Sequence, residues 1–166
     1  MLFFFIIVFF NLRTTKTKDN NTLGGKAMEY IEYFKLQAKN FYRDFCTKKF
    51  NEDEGFYEYF PRFFEDIDEI IISFNIDEEK FSLMKAQHLI ACLAGFSKWS
   101  DILHASEARL ELGKLLIENR NNYVECGSVL ENWKMYEDAN LNGWDDESKL
   151  DIFKIVMLGE PAIIDD

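Results

Sequence analysis

The first periodic segment of the chain follows the repeat of a helix with one buried side. Its apolar residues recur at steps of three and four positions, as in Phe34, Ala38 and Phe41. An α-helix turns once every ~3.6 residues, so this spacing places the apolar side chains on one face. We therefore predict a first helix over residues 29–49, followed by a polar break with a turn at 51–55.

The same steps recur along the rest of the chain and predict further helices. Ser82 precedes one such segment as a natural N-cap, because a serine hydroxyl accepts a hydrogen bond from a free backbone N–H, and another segment begins at Ser106. The segment 66–74 has β-branched residues that would also suit a strand, but its apolar positions fit one helical face and we expect a short helix. The predicted later helices cover 66–74, 82–94, 98–104, 106–117, the region from Val129 to Tyr136 and the region from Leu150 to Leu158.

These patterns predict an all-α fold. Residues 28–166 contain no Gly/Ser/Pro-rich linker and no internal repeat, so we expect a single compact domain of about six helices. Gly95 ends one predicted helix shortly before the next begins, which indicates a helix–Gly–helix corner near the centre of the domain.

An aromatic segment interrupts the helical pattern. Residues 56–64 contain six aromatic side chains, and Pro61 disfavours a helix across them, so we expect a short irregular or extended segment. A segment of this length cannot bury so many rings by itself, and exposed rings mark surfaces that contact a partner or a second copy of the chain. The residues of this possible partner surface are Tyr57, Tyr59, Phe60, Phe63 and Phe64.

The most hydrophobic stretch of the chain is MLFFFIIVFF at residues 1–10. It is shorter than the roughly 20 residues that span a bilayer. No basic residue precedes it and no small-residue cleavage site follows it, so it makes a poor signal peptide. Residues 23–28 can be back-translated to contain AGGAGG shortly before the Met28 codon, which is the arrangement of a bacterial ribosome-binding site. We therefore expect residues 1–27 to be a translated upstream region, or a hydrophobic tail; if they are genuine, the alternative is a membrane-anchored protein.

Charge and cysteine content narrow the class of protein further. The chain has 19 Lys and Arg against 30 Asp and Glu, a net charge of −11, and without residues 1–27 the net charge is −14. Such an acidic chain is a poor binder of phosphate backbones, so we expect no nucleic acid partner. Eleven acids and one base between residues 52 and 79 form either a solvated surface or a face that docks on a basic partner. Three cysteines without paired spacing favour a reducing, cytoplasmic location.

The segment from Lys85 to Leu103 has two interpretations. Gln87, Ala91 and Gly95 have the spacing of a helix-turn-helix motif, which would make the protein a nucleic-acid-binding regulator. Asp101, however, falls where the second helix of that motif needs an apolar anchor, and the segment offers few basic side chains to DNA. The other interpretation is a structural corner. Its residues are Gln87, Ala91, Gly95, Phe96, Trp99 and Leu103, with Phe96 and Trp99 inserted into the core.

The corner resembles a known helical module. The pattern A-Q-x-x-I-A-x-x-x-G-F-x-x-W-x-x-L occurs in many bacterial proteins, often before ankyrin repeats or within glyoxalase-related proteins. In this chain it is matched by Ala86-Gln87, Ile90-Ala91, Gly95-Phe96, Trp99 and Leu103, within about 20 of the 166 residues. The resemblance implies a bacterial protein and no catalytic residue. No ankyrin signature or glyoxalase metal pattern follows, so those activities are not implied.

Few residues of the chain suggest a catalytic or metal-binding site. His88 and Cys92 are one helical turn apart and could share a face as two zinc ligands, but two ligands do not make a site. We therefore expect no catalytic residue, no metal and no cofactor. The predicted function is that of a small acidic interaction or regulatory protein without catalytic chemistry, whose partner is a basic protein or a second copy.

Overall fold

Seven helices and two short antiparallel strand pairs form the part of the chain that the computed structural model describes, residues 20–124 and 127–161. The helices are α1 (Asn20–Phe45), α2 (Ile67–Ser73), α3 (Leu83–Leu93), α4 (Trp99–Ile102), α5 (Glu107–Glu118), α6 (Val129–Asn140) and α7 (Asp146–Leu158). The strands are β1 (Lys49–Asn51), β2 (Phe56–Glu58), β3 (Tyr123–Val124) and β4 (Gly127–Ser128). The prediction of an all-α single domain with a corner at Gly95 is confirmed.

Helix α5 lies between two hydrophobic cores. Its Leu110 and Ile117 side chains belong to the first core, which α1, α2 and α3 build around Phe34, Phe41 and Ile90. Its Ala108, Leu112 and Leu116 side chains belong to the second core, whose other members are Val129, Trp133, Leu141, Leu150 and Phe153. A helix that is apolar on two sides has to be covered on both, so α5 becomes the central element of the fold.

Helix α1 is longer at its start and shorter at its end than the predicted range. It ends at Phe45 because the chain then turns, with the Thr47 amide donating to the Asp44 carbonyl over 3.0 Å, and enters β1 at Lys49. Near its start, Ala27 packs against the first core. None of the described helices has both the length and the apolar composition needed to cross a bilayer. The prediction made for residues 1–27 stays a prediction: residues 1–19 fall outside the described residues, and residues 20–27 belong to α1.

A polar network connects α1, α5 and α7. The Tyr30 hydroxyl of α1 donates to Glu111 Oε2 of α5 over 3.1 Å, and Lys154 Nζ of α7 donates to Glu111 Oε1 over 2.6 Å. Burial, followed by the hydrogen bond to Glu111, raises the pKa of Tyr30 to about 12. Glu111 is thus a half-buried acceptor that ties the outer helices to the central one.

The predicted N-cap at Ser82 is confirmed, and Ser106 caps α5 in the same way. The Ser82 hydroxyl accepts a hydrogen bond from the Lys85 amide, and the Ser106 hydroxyl accepts one from the Arg109 amide. These short-range contacts are the part of the fold that residue type alone can specify, because donor and acceptor lie three positions apart.

The strand pairs were not predicted. In the hairpin of β1 and β2, Lys49 lies opposite Glu58, and Asn51 lies opposite Phe56. Gly55, with φ of +76°, completes the turn between these strands. Strands of three residues carry too short an alternation to be recognised in a sequence, so the pattern indicated only a polar break and an extended segment.

Candidate functional site

The aromatic segment after β2 is held by a buried carboxylate at the end of α1. Asp44 is only 1% exposed. One of its oxygens accepts the Arg62 amide at 2.9 Å, and the other accepts the Phe63 and Phe64 amides, both at 2.8 Å. A carboxylate that accepts several backbone N–H groups forms strong, charge-assisted hydrogen bonds, which fix the turn that follows Pro61.

A threonine extends this anchor by one more residue. The Thr47 hydroxyl donates to the Asp44 carbonyl over 2.6 Å and accepts the Phe60 amide at 2.9 Å. Four backbone amides between residues 60 and 64 are therefore bound by two side chains at the end of α1. Residues 60–64 therefore have a defined conformation although they belong to neither a helix nor a strand.

One face of the hairpin, which we call the inner face and on which Tyr57 lies, is hydrogen-bonded to the loop between α2 and α3. The Tyr57 hydroxyl donates to Glu79 Oε1 over 2.6 Å, and the Tyr59 hydroxyl donates to Glu78. Lys48 Nζ donates to the Glu78 carbonyl over 2.6 Å and lies 4.2 Å from the centre of the Tyr57 ring. Burial, together with the bond to Glu78, raises the pKa of the Tyr59 hydroxyl well above its ordinary value. Both tyrosine hydroxyls thus serve contacts within the chain.

Phe64 was wrongly predicted to lie on the partner surface. It is 0% exposed, and its ring packs edge-on against Phe41 with centroids 5.2 Å apart. On its other side the Arg120 guanidinium lies 4.5 Å from the ring centre and is held by Asp66 through bonds of 2.9 and 3.1 Å. The sequence could not separate Phe64 from its exposed neighbour Phe63, because the turn held by Asp44 decides which ring points inward.

The rings that do reach solvent differ from the predicted set. Phe60 and Phe63 are exposed as expected, at 54% and 42%. Phe50 and Phe56, which lie on β1 and β2, are also exposed and were not predicted. Strand alternation places Phe56 on the face of Lys49, Asn51 and Glu58, and Phe50 on the opposite face with Tyr57, so alternation alone does not explain why both rings are exposed.

Phe56 and Phe60 share what we call the outer face of the hairpin, formed by Lys49, Asn51, Phe56, Glu58 and Phe60. The pairing of Lys49 with Glu58 and of Asn51 with Phe56 places these four side chains on one side of the strands. Asn51 Nδ2 donates to Glu58 Oε1 over 2.7 Å, and Lys49 Nζ lies 5.2 Å from the centre of the Phe60 ring. Phe60 therefore extends this face beyond the end of β2.

The charges around the outer face are separated. At the tip of the hairpin Glu52, Asp53 and Glu54 are exposed, and within the described residues no cation lies at ion-pair distance from them. At its base Lys49 and Arg62 are exposed and likewise have no described carboxylate at that distance. Glu58, which is also exposed, lies opposite Lys49 and adds one acid to the base. The surface therefore has a strongly acidic tip, an aromatic middle and a base with two cations and one acid.

The Gly95 corner packs against one face of α5. Gly95 has φ of +76°, and a Cβ there would meet Arg109 Nη2 at 3.0 Å and Leu116 Cδ1 at 3.1 Å. Arg109 Nη2 donates to the Gly95 carbonyl, and its guanidinium carbon lies 4.6 Å from the centre of the Phe96 ring. Burial lowers the pKa of Arg109 from its ordinary value.

A second glycine, on α5, completes this contact. A Cβ on Gly113 would meet Phe96 Cε2 at 2.9 Å and the Ala94 carbonyl oxygen at 3.1 Å. Gly113 lies four residues after Arg109 and three before Leu116, so the three positions form one stripe of the helix. The corner and α5 approach each other closely because each has a glycine at the contact. The sequence pattern predicted no role for Arg109 or Gly113.

The remaining corner residues occupy different environments. Ala91 and Phe96 are buried in the first core, whereas Trp99 is partly buried and packs against it. Gln87 is partly exposed. Leu103, the last residue of the corner pattern, is exposed and follows the end of α4, whereas its neighbour Ile102 is buried.

The helix after the corner is a single turn. Helix α4 has four residues against the seven predicted over 98–104. Lys98 Nζ lies 3.9 Å from the Asp101 carboxylate, which leaves little free positive charge on this turn. Compared with a recognition helix that binds in the major groove of DNA, α4 is short and has little positive charge.

The His88 and Cys92 pair lies on α3. His88 Nε2 is 3.8 Å from Cys92 Sγ, so the two side chains do meet as their spacing predicted. Across residues 20–124 and 127–161 no group of three or more His, Cys, Asp or Glu side chains is placed to hold a metal ion. Burial raises the pKa of the Cys92 thiol, which keeps it protonated at neutral pH.

Comparisons with known proteins found no similar protein. No family model matches the chain, and neither the curated proteins nor the solved structures contain a match.

Proposed function

We propose that this protein is a small acidic interaction protein without catalytic chemistry, and that it binds a protein partner through the outer face of its first hairpin. The observation that supports the proposal is the exposure of Phe56 and Phe60, at 50% and 54%. The backbone that follows β2 is held in place, because Thr47 and Asp44 accept hydrogen bonds from its amides. Aromatic rings are frequent anchors of protein interfaces.

The rigidity of the hairpin supports this role. Asp44 and Thr47 accept hydrogen bonds from backbone amides between residues 60 and 64. The hydroxyls of Tyr57 and Tyr59 donate to Glu79 and Glu78 in the loop between α2 and α3. A preordered surface loses less conformational entropy on binding than a mobile one, so the rings can contribute more of their burial energy to affinity.

The corner at Gly95 fits a scaffolding role in this proposal. Its resemblance to the bacterial helical module implies a non-catalytic protein, and its contacts with Arg109 and Gly113 give the glycine a packing reason. We therefore favour the structural corner over the helix-turn-helix alternative. We place the protein in a bacterial cytoplasm, where unpaired thiols such as Cys46 and Cys92 are stable.

The test compares two double variants as baits in an extract of the source cells. Phe56→Ser with Phe60→Ser removes the rings of the outer face. Ile72→Ser with Met135→Ser is the matched control, because these side chains are 78% and 73% exposed on α2 and α6. We expect proteins retained by the unmodified chain to be lost from the first variant and kept by the second. Equal retention by both variants would remove the hairpin as the binding surface.

A mobility-shift assay at low salt separates the nucleic acid alternative. We expect no retardation of DNA or RNA by the full chain, because its net charge is −11 and α4 carries little free positive charge. Retardation that is lost in a Lys85→Glu with Lys98→Glu variant would contradict the proposal and restore the helix-turn-helix interpretation.

A further inference from the structure

We infer that the partner of the outer face is a second copy of this chain, docked face to face about a two-fold axis with the two hairpins antiparallel. This inference rests on the proposed function, since it assumes that the outer face is a binding surface, and it adds the identity of what is bound.

The charge layout is self-complementary in this arrangement. The acids Glu52, Asp53 and Glu54 lie at the tip of the hairpin. At its base, about 10 Å away for strands of three residues, Lys49 lies opposite Glu58, and Arg62 follows four positions after Glu58, so the base has two cations and one acid. A two-fold axis through the middle of the face brings the tip of each copy to the base of the other. In a two-fold interface every contact is made twice, so both pairs of opposite charges meet.

The aromatic rings fit the same symmetry. Phe56 lies towards the acidic tip and Phe60 towards the basic base, where Lys49 Nζ is 5.2 Å from its ring centre. In the antiparallel arrangement Phe56 of one copy faces Phe60 of the other, and this contact also occurs twice. The rings then form an apolar middle between two charged ends, as in interfaces with a buried centre and a polar rim.

The charges at both ends are available for such contacts. Glu52, Glu54, Lys49 and Arg62 are exposed, and none of them has an ion-pair partner within the described residues. The chain as a whole has a net charge of −11, which opposes the approach of two copies. A parallel arrangement would add repulsion between the two tips, so the antiparallel one is the arrangement that local electrostatics favours.

Charge exchange between two variants tests this geometry. A base variant, Lys49→Glu with Arg62→Glu, makes both ends of the hairpin acidic. A tip variant, Glu52→Lys with Glu54→Lys, makes both ends basic. Each variant alone would place like charges together in a dimer, whereas a mixture of the two would place opposite charges together at both ends.

Sedimentation equilibrium of the full chain gives the readout. We expect the unmodified chain at micromolar concentration to have twice its mass of 19.7 kDa. Each charge variant alone, and the Phe56→Ser with Phe60→Ser variant, should be monomeric. An equimolar mixture of the two charge variants should return to the dimer mass. Restoration in the mixture also shows that both variants are folded.

Three outcomes overturn the inference. The first is an unmodified chain that stays monomeric; the second is a dimer that persists in the Phe56→Ser with Phe60→Ser variant; the third is a mixture of charge variants that stays monomeric. A monomer that still captures another protein through the outer face refutes only the second copy as partner. A monomer whose captures do not depend on that face refutes the proposed function as well.

Discussion

Arg109 and Gly95 are joined by a hydrogen bond of 2.5 Å from the guanidinium Nη2 to the glycine carbonyl oxygen. The same nitrogen lies 3.0 Å from the place that a Cβ on residue 95 would take. Residue 95 lacks a side chain for two reasons: its backbone has φ of +76°, and α5 places a cation against it. The corner depends on a side chain fourteen positions further along the chain.

Replacing Gly95 by alanine is expected to lower the free energy of unfolding by about 2–4 kcal/mol. The left-handed backbone accounts for about 1–2 kcal/mol, and displacement of Arg109 and Leu116 accounts for the remainder. Gly143→Ala is the control, because Gly143 also has positive φ, of +82°, but nothing lies within 4 Å of its added Cβ. Urea unfolding of both variants measures the difference, and equal losses would contradict the packing role.

Alanine at Gly113 should destabilise the protein although alanine favours helices. A Cβ there would lie 2.9 Å from Phe96 Cε2 and 3.1 Å from the Ala94 carbonyl, so overpacking should cost about 1–3 kcal/mol. Gly25→Ala on α1 has nothing within 4 Å and should stabilise by up to about 1 kcal/mol. Thermal unfolding of the two variants should therefore shift in opposite directions. A stabilising Gly113→Ala would refute the close contact between the corner and α5.

The buried carboxylate of Asp44 should be essential to the aromatic segment. Asp44→Asn keeps the size of the side chain but presents N–H donors to backbone amides that are themselves donors, so we expect a loss of about 3 kcal/mol. Hydrogen exchange should speed up at the amides of residues 62–64 before the rest of the chain. Asp53→Asn, at the exposed tip of the hairpin, should change stability by less than about 0.5 kcal/mol. Unchanged protection at 62–64 would rule out the anchor.

The hydrogen bonds of Glu111 should make the free energy of unfolding depend on pH in the acidic range. Burial acts to raise the pKa of Glu111, but the hydrogen bond and charge of Lys154 and the hydrogen bond from Tyr30 outweigh it, so this pKa lies below its ordinary value of 4.5. A lowered folded-state pKa contributes stability that is present above 4.5 and is lost as the pH falls through the folded-state value. Glu111→Gln should therefore lose less stability than the unmodified chain on acidification. Urea midpoints measured at neutral and acidic pH check this, and parallel pH curves would contradict it.

Local contacts explain which features of the fold could be predicted. The helix after Ser82 and the helix after Ser106 depend on a cap and on side chains three or four positions apart, and both were found at the expected places. The first hairpin escaped prediction because its strands have three residues each and pair with each other across a turn. The corner pattern did not indicate that Ile102 is buried and its neighbour Leu103 exposed, because one position is enough to move a side chain from the buried to the exposed side of a helix.

The order of residues alone established the helices, the cap at Ser82 and a glycine corner, because each of these follows from neighbours within about one helical turn, and the composition established that the chain is acidic. The sequence also indicated that the segment 56–64 had more rings than it could bury. Which rings are buried was settled by contacts between distant elements: Asp44 on α1 binds the turn that sends Phe64 inward beside Phe41, and leaves Phe60 outside. Burial of a side chain depends on what the folded chain brings against it, and no local pattern contains that information.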